Sequence, residues 1–296
     1  MPELPEVETV RRGLSERIVG ELVVSVEIRH GSILEDCTSD DLGGLAGFRF
    51  ASVDRRGKYL LLRLELAKGK ITLVVHLGMT GQLTWRAKGA TVTDRFRKLV
   101  SGYRKSEGPH SIDAHTHMVV VCASGGELLF RDPRRFGRIL LFEGWGDGNC
   151  RRLERLGPDA WRMDHGTLAS ILKERAGRRA VKTVLLDQGV VAGIGNIYAD
   201  EACFQARIRP GRTLSGLSGL RIADLARAVD EVLEKGVRNA GTSFRDFVGA
   251  DGSDGSNQED LKVYGRGGSP CLVCGKSLRS ASIAQRTTVW CSGCQT

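Results

Sequence analysis

The sequence predicts an α+β protein whose first half is an antiparallel β-sandwich or barrel and whose second half is helical. Two observations carry this prediction. Apolar, β-like segments separated by turns follow one another as far as residue 142, and an amphipathic helical pattern covers residues 217–236. With 296 residues, of which 41% are hydrophobic and 27% charged, the chain can bury a sizeable core, which excludes a disordered protein.

The first half opens with a helix, because Pro5 suits a first helical turn and Val7, Val10 and Leu14 fall on one helical face. A strand follows, predicted from the alternation of Leu22, Val24, Val26 and Ile28. Further segments have the apolar character of strands: 59–66, 71–77, 118–122, 127–131 and 138–142.

A change in composition at the Gly-rich segment 143–150 marks the predicted linker between the halves. Short apolar faces then predict helices around residues 168–172 and 181–185, and a helix from Ile197 must end before Pro210. The clearest helix, 217–236, ends at Gly236, which we interpret as its C-cap. Its apolar stripe consists of Ile222, Leu225, Ala226, Val229, Val232 and Leu233.

The charge balance favours a polyanionic partner. Lys and Arg number 44 against 35 Asp and Glu, a net charge of +9, which suits nucleic acid or an anionic membrane surface. No apolar run approaches the roughly 18 residues of a membrane span, and the acidic N-terminus does not fit a signal peptide. We therefore expect a cytoplasmic protein with no membrane partner.

The end of the chain carries two Cys-x-x-Cys pairs, Cys271 with Cys274 and Cys291 with Cys294. Their spacer falls within the roughly 15–20 residues typical of zinc sites and is long enough for a β-hairpin. Disulfides are disfavoured in a cytoplasmic chain, and no His follows either pair as c-type haem attachment requires. The pattern predicts one structural Zn²⁺, because four thiolates leave no open position for a substrate.

Pro2 suggests a catalytic amine. Removal of Met1 would expose its secondary amine, and an α-amino group with a pKa of about 8 is neutral far more often at pH 7 than a lysine. Such an amine can attack an electrophilic carbon and form an iminium, with Glu3 and Glu6 nearby to carry protons. On its own the segment favours only a helix N-terminus, so the catalytic interpretation needs support from other motifs.

Several motifs in one order supply that support. The N-terminal MPELPEVE closely resembles the signature of the bacterial formamidopyrimidine-DNA glycosylases, also called 8-oxoguanine DNA glycosylases. Internal segments resemble further motifs of that family: GKYL at 57–60, HLGMTG at 76–81, HTH at 115–117, DPRRFG at 132–137 and GIGNIYADE at 193–201. Together with the cysteine pairs, the resemblance runs from the first residue to nearly the last.

The resemblance implies an N-terminal β-sandwich, a helix-two-turn-helix domain and a β-hairpin zinc finger, with duplex DNA bound in the cleft between the domains. The predicted bounds are 1–142 for the catalytic β-sandwich domain with its leading helix, 143–150 for the linker, 151–260 for the helix-two-turn-helix domain with a lesion loop at 245–260, and 261–296 for the zinc finger. We expect a monomer in the cytoplasm, associated with the nucleoid.

The resemblance also implies a bifunctional repair enzyme that removes oxidised purines, 8-oxoguanine and formamidopyrimidines, from duplex DNA and cleaves the strand at abasic sites. The damaged nucleotide is flipped out of the stack, because an amine cannot reach C1′ inside a duplex. Pro2 corresponds to the amine that displaces the base and forms a Schiff base, which drives β- and δ-elimination. Glu3 resembles the family's acid, and Lys58 a second catalytic lysine. The resemblance implies that Arg286 takes part in both catalysis and DNA binding.

Other matching positions are expected to bind the kinked DNA backbone. They are His76, His115, Asn196 and Arg286. Asn196 stands where a helix begins, so the amides from Ile197 onward are expected to form a phosphate site at the helix N-terminus.

A last group resembles the residues that fill the void left by the flipped base: Met79, Arg134 and Phe136. A thioether and an aromatic ring can replace lost stacking, and the guanidinium of Arg134 can pair with the orphaned cytosine.

Two segments depart from the family pattern. The basic stretch 86–110 is longer than the usual connector and is either a solvated insertion or an extra DNA contact. The loop at 255–258 lacks the aromatic pair that the family often carries, which bears on lesion preference.

Two alternative functions remain open at this point. One is the endonuclease VIII branch of the superfamily, which prefers oxidised pyrimidines; Leu4 and the complete Arg134-Arg135-Phe136 motif speak against it. The other is a non-catalytic DNA-binding protein, which would not need the intact Pro2–Glu3 pair.

Overall fold

The computed structural model describes residues 2–67, 69–89, 110–175, 177–244 and 246–296. Contacts divide the chain into two compact units. The first contains Pro2, Glu6–Arg151 and Ala240–Gly255; the second contains Glu3–Pro5, Arg152–Asn239 and Ser256–Thr296. The predicted four-part division stays a prediction, and the structure adds that 240–255 packs with the first unit. Most of the predicted basic insertion, 90–109, lies outside the described residues.

The leading helix is α1 (Leu4–Ile18), which belongs to the first unit from Glu6 onward and there packs into that unit's core. Val7, Val10 and Leu14 are fully buried, so the predicted apolar face is confirmed. A second, short helix, α2 (Ser39–Gly43), begins at a capping box in which Thr38 and Asp41 satisfy each other's backbone amides.

Two four-stranded antiparallel sheets form the predicted β-sandwich. The strands are β1 (Val23–Ile28), β2 (Arg49–Arg56), β3 (Tyr59–Leu66), β4 (Gly69–His76), β5 (Gln82–Arg86), β6 (Thr116–Cys122), β7 (Glu127–Arg131) and β8 (Arg138–Glu143). One sheet has the order β1-β6-β7-β5 and the other β2-β3-β4-β8. Leu62 and Val75 from one sheet and Val120 and Phe130 from the other belong to one core, which makes the strand ends a rigid support for turns.

The predicted alternation in β1 is wrong at one position. Val24 is 53% exposed, whereas Val23 is 1% exposed. The pairing of β1 with β6 shifts register between Val23 and Ser25, which is a β-bulge. A bulge adds one residue to one strand and thereby changes the face on which the preceding side chains lie, so Val23 replaces Val24 in the core while Val26 and Ile28 keep their predicted side.

The second unit is helical. Its helices are α3 (Arg151–Glu154, of which Arg151 belongs to the first unit), α4 (His165–Arg175), α5 (Val181–Leu186), α6 (Asn196–Gln205) and α7 (Gly219–Arg238). Short 3₁₀ turns occur in this unit at Leu214–Gly216 and Asn257–Asp260, and in the first unit at Gly31–Ile33 and Asp147–Asn149. The predicted stripe of α7 is buried, and Ser218 caps its N-terminus.

Gly236 is not a C-cap. It lies inside α7, and Asn239 occupies the C-cap position. A Cβ at Gly236 would lie 2.6 Å from the hydroxyl oxygen of Tyr198, so glycine is required there for the close approach of α6 and α7.

The tail forms a hairpin of β9 (Arg279–Ile283) and β10 (Arg286–Trp290), as the cysteine spacing predicts. Within the described part of the chain, no helix has both the length and the apolar character needed to cross a bilayer.

Candidate functional site

The structure fixes Glu3 against the start of α6. Glu3 is 2% exposed, and its carboxylate accepts hydrogen bonds from the amides of Ile197, at 2.9 Å, and Tyr198, at 3.3 Å. A Cβ at Gly195 would lie 2.2 Å from the carboxyl carbon of Glu3, so only glycine allows this approach. Pro2, directly before Glu3, is buried as well.

The helix N-terminus is therefore occupied differently from the prediction. Gly195 is the N-cap and Asn196 the first helical residue of α6. The two amides expected to bind phosphate instead donate to the negative carboxylate of Glu3, which the positive end of the helix dipole favours in the same way. Asn196 uses its side-chain amide to donate to the carbonyl of Thr287 in β10, at 3.0 Å.

Glu6 supports a different segment of the first unit. It is 1% exposed and accepts a 2.7 Å hydrogen bond from the amide of Thr242. Gly255, in the predicted lesion loop, packs on the backbone next to this contact: a Cβ there would lie 2.2 Å from the carbonyl oxygen of Gly241. Arg245, at the start of that loop, lies outside the described residues.

Lys58 lies in the turn between β2 and β3 and is 7% exposed. The preceding Gly57 has a φ of 55°, which suits glycine. Arg55 donates to the carbonyl of Gly57 at 2.9 Å and to the carboxylate of Glu8 at 3.2 Å. A buried ion pair thus connects helix α1 to the turn that carries Lys58.

Glu8 and Arg55 are site residues that sequence reasoning missed. Glu8 also receives hydrogen bonds from Arg11 and Arg12. Burial raises the pKa of the Glu8 carboxyl, but the hydrogen bonds and positive charges of Arg11, Arg12 and Arg55 outweigh burial, so the pKa lies below its ordinary value. The i, i+3 and i, i+4 spacing of Glu8 with Arg11 and Arg12 was the available signal.

The histidines predicted to bind DNA occupy different environments. His76 ends β4; its ring lies 4.7 Å from that of Tyr59, and its Nδ1 accepts from the amide of Gly78 at 3.3 Å. His115 is exposed just before β6. Its neighbour His117 is fully buried and donates from Nε2 to the carbonyl of Asp132 at 2.8 Å. Burial also lowers the pKa of His117, which favours its neutral form.

The three void-filling candidates share one edge of the sandwich. Met79 is half-buried in the turn after β4, Arg134 is exposed and Phe136 is 48% exposed. The guanidinium carbon of Arg134 lies 4.6 Å from the ring centre of Phe136. A Cβ at Gly78 would lie 2.5 Å from the carbonyl carbon of Phe136, so the two turns touch backbone to backbone.

The four cysteines converge on one point. Their sulfur atoms all lie within 4.8 Å of one another, with 3.4 Å between Cys274 and Cys291 and 3.9 Å between Cys271 and Cys294. Four thiolates at about 2.3 Å from a tetrahedral Zn²⁺ would be separated by roughly 3.8 Å. Amides also donate to two of the sulfurs, Val273 to Cys271 and Gly293 to Cys291, as expected around negatively charged ligands. The donor set fits one structural zinc ion.

A buried ion pair holds the hairpin on the helices of the second unit. Lys182 of α5 and Asp200 of α6 are 2.7 Å apart and both 0% exposed. Lys182 also donates to the hydroxyl of Thr288, and Asp200 accepts from the amide of Val289. Burial raises the pKa of Asp200 to about 6, so this carboxyl is charged at pH 8. Burial lowers the pKa of Lys182, and the neighbouring charge of Asp200 opposes that shift. No local sequence pattern predicts this pair.

Arg286 is exposed at the start of β10, opposite Ile283. It lies in the second unit with Glu3, Asn196 and the zinc ligands, whereas Pro2, Lys58 and His76 lie in the first.

Comparisons with known proteins cover the whole chain. The N-terminal domain model of formamidopyrimidine-DNA glycosylase matches residues 1–139, its H2TH domain model matches 156–248, and the model "zinc finger found in FPG and IleRS" matches 268–296. The formamidopyrimidine-DNA glycosylase of Desulfitobacterium hafniense (strain Y51) is 41% identical over 298 residues, covering 100% of both chains. That of Moorella thermoacetica is 42% identical over 281 residues, covering 94% of this chain and 93% of the relative.

Solved structures give the same result. The wild-type Lactococcus lactis Fpg in complex with DNA containing N7-benzyl-Fapy-dG has a TM-score of 0.83 at 30% identity, covering 99% of each chain. The complex of the Lactococcus lactis Fpg with abasic-site DNA has a TM-score of 0.83 at 30% identity, again covering 99% of each chain.

Proposed function

Because the chain belongs to the formamidopyrimidine-DNA glycosylase family, we propose that it removes oxidised purines from duplex DNA and then cleaves the abasic strand. The substrates are 8-oxoguanine and formamidopyrimidines. Two complexes of the Lactococcus lactis Fpg, which is similar in structure, hold DNA with a formamidopyrimidine or an abasic site, and this supports the substrate class. The enzyme acts as a monomer on nucleoid DNA in the cytoplasm.

The nucleophile in this proposal is the secondary amine of Pro2. Its nitrogen forms a bond to C1′ of the flipped nucleotide as the bond between C1′ and the base breaks. The C1′–O4′ bond then breaks, O4′ takes up a proton, and C1′ becomes an iminium carbon. The iminium acidifies the C2′ proton, whose loss expels the 3′ phosphate; a second elimination expels the 5′ phosphate. The product is a one-nucleotide gap with phosphate on both ends.

The observation that carries the proposal is the placement of Glu3. The residue next to the amine has its carboxylate fixed by the amides of Ile197 and Tyr198, at 2.9 and 3.3 Å, through a gap that only Gly195 leaves open. A carboxyl group held in one orientation is suited to proton transfer during opening of the sugar ring. A side chain that merely caps a helix would not need the preceding residue to be Pro2.

The remaining roles follow the same pattern. Lys58 acts as a second catalytic group near the lesion. Its turn is fixed by the hydrogen bond from Arg55 to the carbonyl of Gly57. Arg286 assists Lys58 and, with His76, His115 and Asn196, binds the DNA backbone. These side chains supply positive charge or hydrogen-bond donors, the groups that phosphates bind.

Met79, Arg134 and Phe136 fill the void left by the flipped base. Their half-buried or exposed side chains lie on one edge of the sandwich, where Arg134 stacks on Phe136. In this proposal the guanidinium of Arg134 pairs with the orphaned partner base.

Zinc is held by Cys271, Cys274, Cys291 and Cys294. When bound, it supplies no chemistry to the reaction but fixes the hairpin that carries Arg286.

Borohydride trapping on a duplex containing 8-oxoguanine tests the proposal. The wild-type protein should become covalently linked to DNA, and a variant with residues added before Pro2 should not, because its amine has become an amide. The same variant should still bind an abasic-site analogue, which serves as the folding control. Equal trapping by the blocked variant would move the nucleophile to a lysine, Lys58 first. Excision of thymine glycol in preference to 8-oxoguanine would instead favour the endonuclease VIII type of activity.

A further inference from the structure

Asp132 binds both turns that carry the void-filling candidates Met79, Arg134 and Phe136. It is 0% exposed, and its carboxylate collects three donors: the hydroxyl of Thr80, the amide of Arg134 at 3.2 Å and the amide of Gly137 at 2.7 Å. Its backbone carbonyl accepts from His117 and from the amide of Arg135, at 3.2 Å. A buried carboxylate is costly unless its lone pairs are satisfied, so these bonds hold the loop 132–137 in one conformation.

One of these donors comes from the other turn. Thr80 is 7% exposed and directly follows Met79, whereas Asp132 opens the loop that carries Arg134 and Phe136. The Thr80–Asp132 hydrogen bond therefore joins the two segments through side chains.

The backbones of the two turns leave no room for independent movement. A Cβ at Gly78 would lie 2.5 Å from the amide nitrogen of Gly137, and one at Gly137 would lie 3.0 Å from the carbonyl oxygen of His76. Within the loop, Arg135 has a φ of 55°, a conformation that is uncommon for a non-glycine residue. Movement of one turn therefore displaces the other.

We propose that Thr80 and Asp132 are positioning residues for base excision: their hydrogen bond keeps Met79 in register with Arg134 and Phe136, so that the three side chains enter the duplex as one body. Neither Thr80 nor Asp132 needs to contact DNA. The proposal rests on the void-filling role given to the three residues above.

The test compares Thr80→Val with Thr80→Ser. Valine matches threonine in shape but leaves an acceptor of Asp132 without its donor, whereas serine restores the hydroxyl. We expect Thr80→Val to lose on the order of tenfold in single-turnover excision of 8-oxoguanine opposite cytosine. The excision rates with each of the four bases opposite the lesion should also become more alike, because the variant discriminates less among them. Cleavage of a preformed abasic site should stay within about twofold of wild type, because an abasic nucleotide is easier to evert. Thr80→Ser should restore both excision and preference.

The matched control is Thr72→Val. Thr72 is also fully buried, and its hydroxyl donates to the carbonyl of Gly144 at 2.7 Å and accepts from Arg63 at 2.8 Å, away from both turns. It should lower thermal stability without changing the opposite-base preference. Thermal unfolding of all variants identifies any that fail to fold. Asp132→Asn disrupts another contact of the same carboxylate, because its side-chain amide would face the amide of Gly137.

Three results would overturn the inference. Thr80→Val could keep the wild-type rate and base preference, it could lose abasic cleavage as severely as excision, or Thr80→Ser could fail to rescue it. In each case the wild-type protein would still excise 8-oxoguanine, so the proposed function would stand. Failure of the wild-type protein itself to excise 8-oxoguanine would count against the proposed function.

Discussion

Replacing Lys182 with methionine should be among the most destabilising single changes in the second unit. Methionine fills a similar volume but removes the side-chain cation that lies 2.7 Å from a carboxylate that is 0% exposed. Asp200 would keep one neutral donor, the amide of Val289 at 3.0 Å, and the hydroxyl of Thr288 would lose the hydrogen bond from Lys182 while still donating to the carbonyl of Arg286. Leaving one member of a buried ion pair uncompensated costs about 3–5 kcal/mol of unfolding free energy.

The loss of unfolding free energy in Lys182→Met should depend on pH. Burial already raises the pKa of Asp200 to about 6 while Lys182 opposes the rise. Without the lysine the pKa rises further, so the carboxyl takes up a proton and the charge disappears as the pH falls. The penalty of Lys182→Met should therefore be larger at pH 8 than at pH 5.

Urea unfolding with saturating Zn²⁺ at both pH values measures this. Arg227→Met is the matched control, because Arg227 and Asp224 are also 2.7 Å apart but their side chains are 58% and 40% exposed, and such a pair contributes at most about 1 kcal/mol. Lys182→Met with Asp200→Asn should recover part of the loss, since the asparagine carries no charge and can still accept from Val289. If Lys182→Met costs no more than Arg227→Met at pH 8, the burial argument is refuted.

Three further predictions concern other parts of the chain. Cys274→Ser should release zinc and weaken DNA binding while sparing the sandwich; metal analysis and binding to an abasic-site analogue measure this, and a fully active zinc-free preparation would contradict it. Arg134→Ala should raise excision opposite adenine relative to cytosine while abasic cleavage persists; an unchanged ranking would remove Arg134 from partner reading. Glu8 has a pKa below its ordinary value of 4.5, so it contributes stability above that pH and loses it as the pH falls through the lowered pKa. Thermal unfolding of Glu8→Gln should thus show a deficit at pH 7 that shrinks below about pH 4.5; parallel pH curves for the variant and wild type would speak against this.

Local pattern predicted much of the fold. The positions of Val7, Val10 and Leu14, the stripe of α7 and most strands follow from periodicity, which reflects burial on one face. β2 (Arg49–Arg56) escaped because charged residues fill its second half, and they are tolerated there by ion pairs made with distant residues such as Glu8. The bulge at Val23 and the internal Gly236 depend on partners in β6 and α6, which no local pattern encodes.

The candidate site likewise combines features that the sequence pattern predicts with features that depend on distant residues. The spacing of the cysteines fixed the zinc ligands in advance, because their geometry is set by the metal. Motif resemblance located Pro2 and Glu3, but not the amides that Glu3 uses. The supporting contacts, Arg55 with Glu8 and Thr80 with Asp132, join residues far apart in sequence, and such contacts become visible only when the sheet registers are known.

The turn between β9 and β10 makes the hairpin dependent on its opposite end. Ala284 and Gln285 both have positive φ, 50° and 58°, in a two-residue connection where Asn and Gly are the favoured residues. A turn with so little intrinsic preference adds little to the stability of the hairpin. The pairing of the two strands therefore depends on the end where the four thiolates converge, and we expect Arg286, beside the turn, to lose its fixed position when the metal is removed.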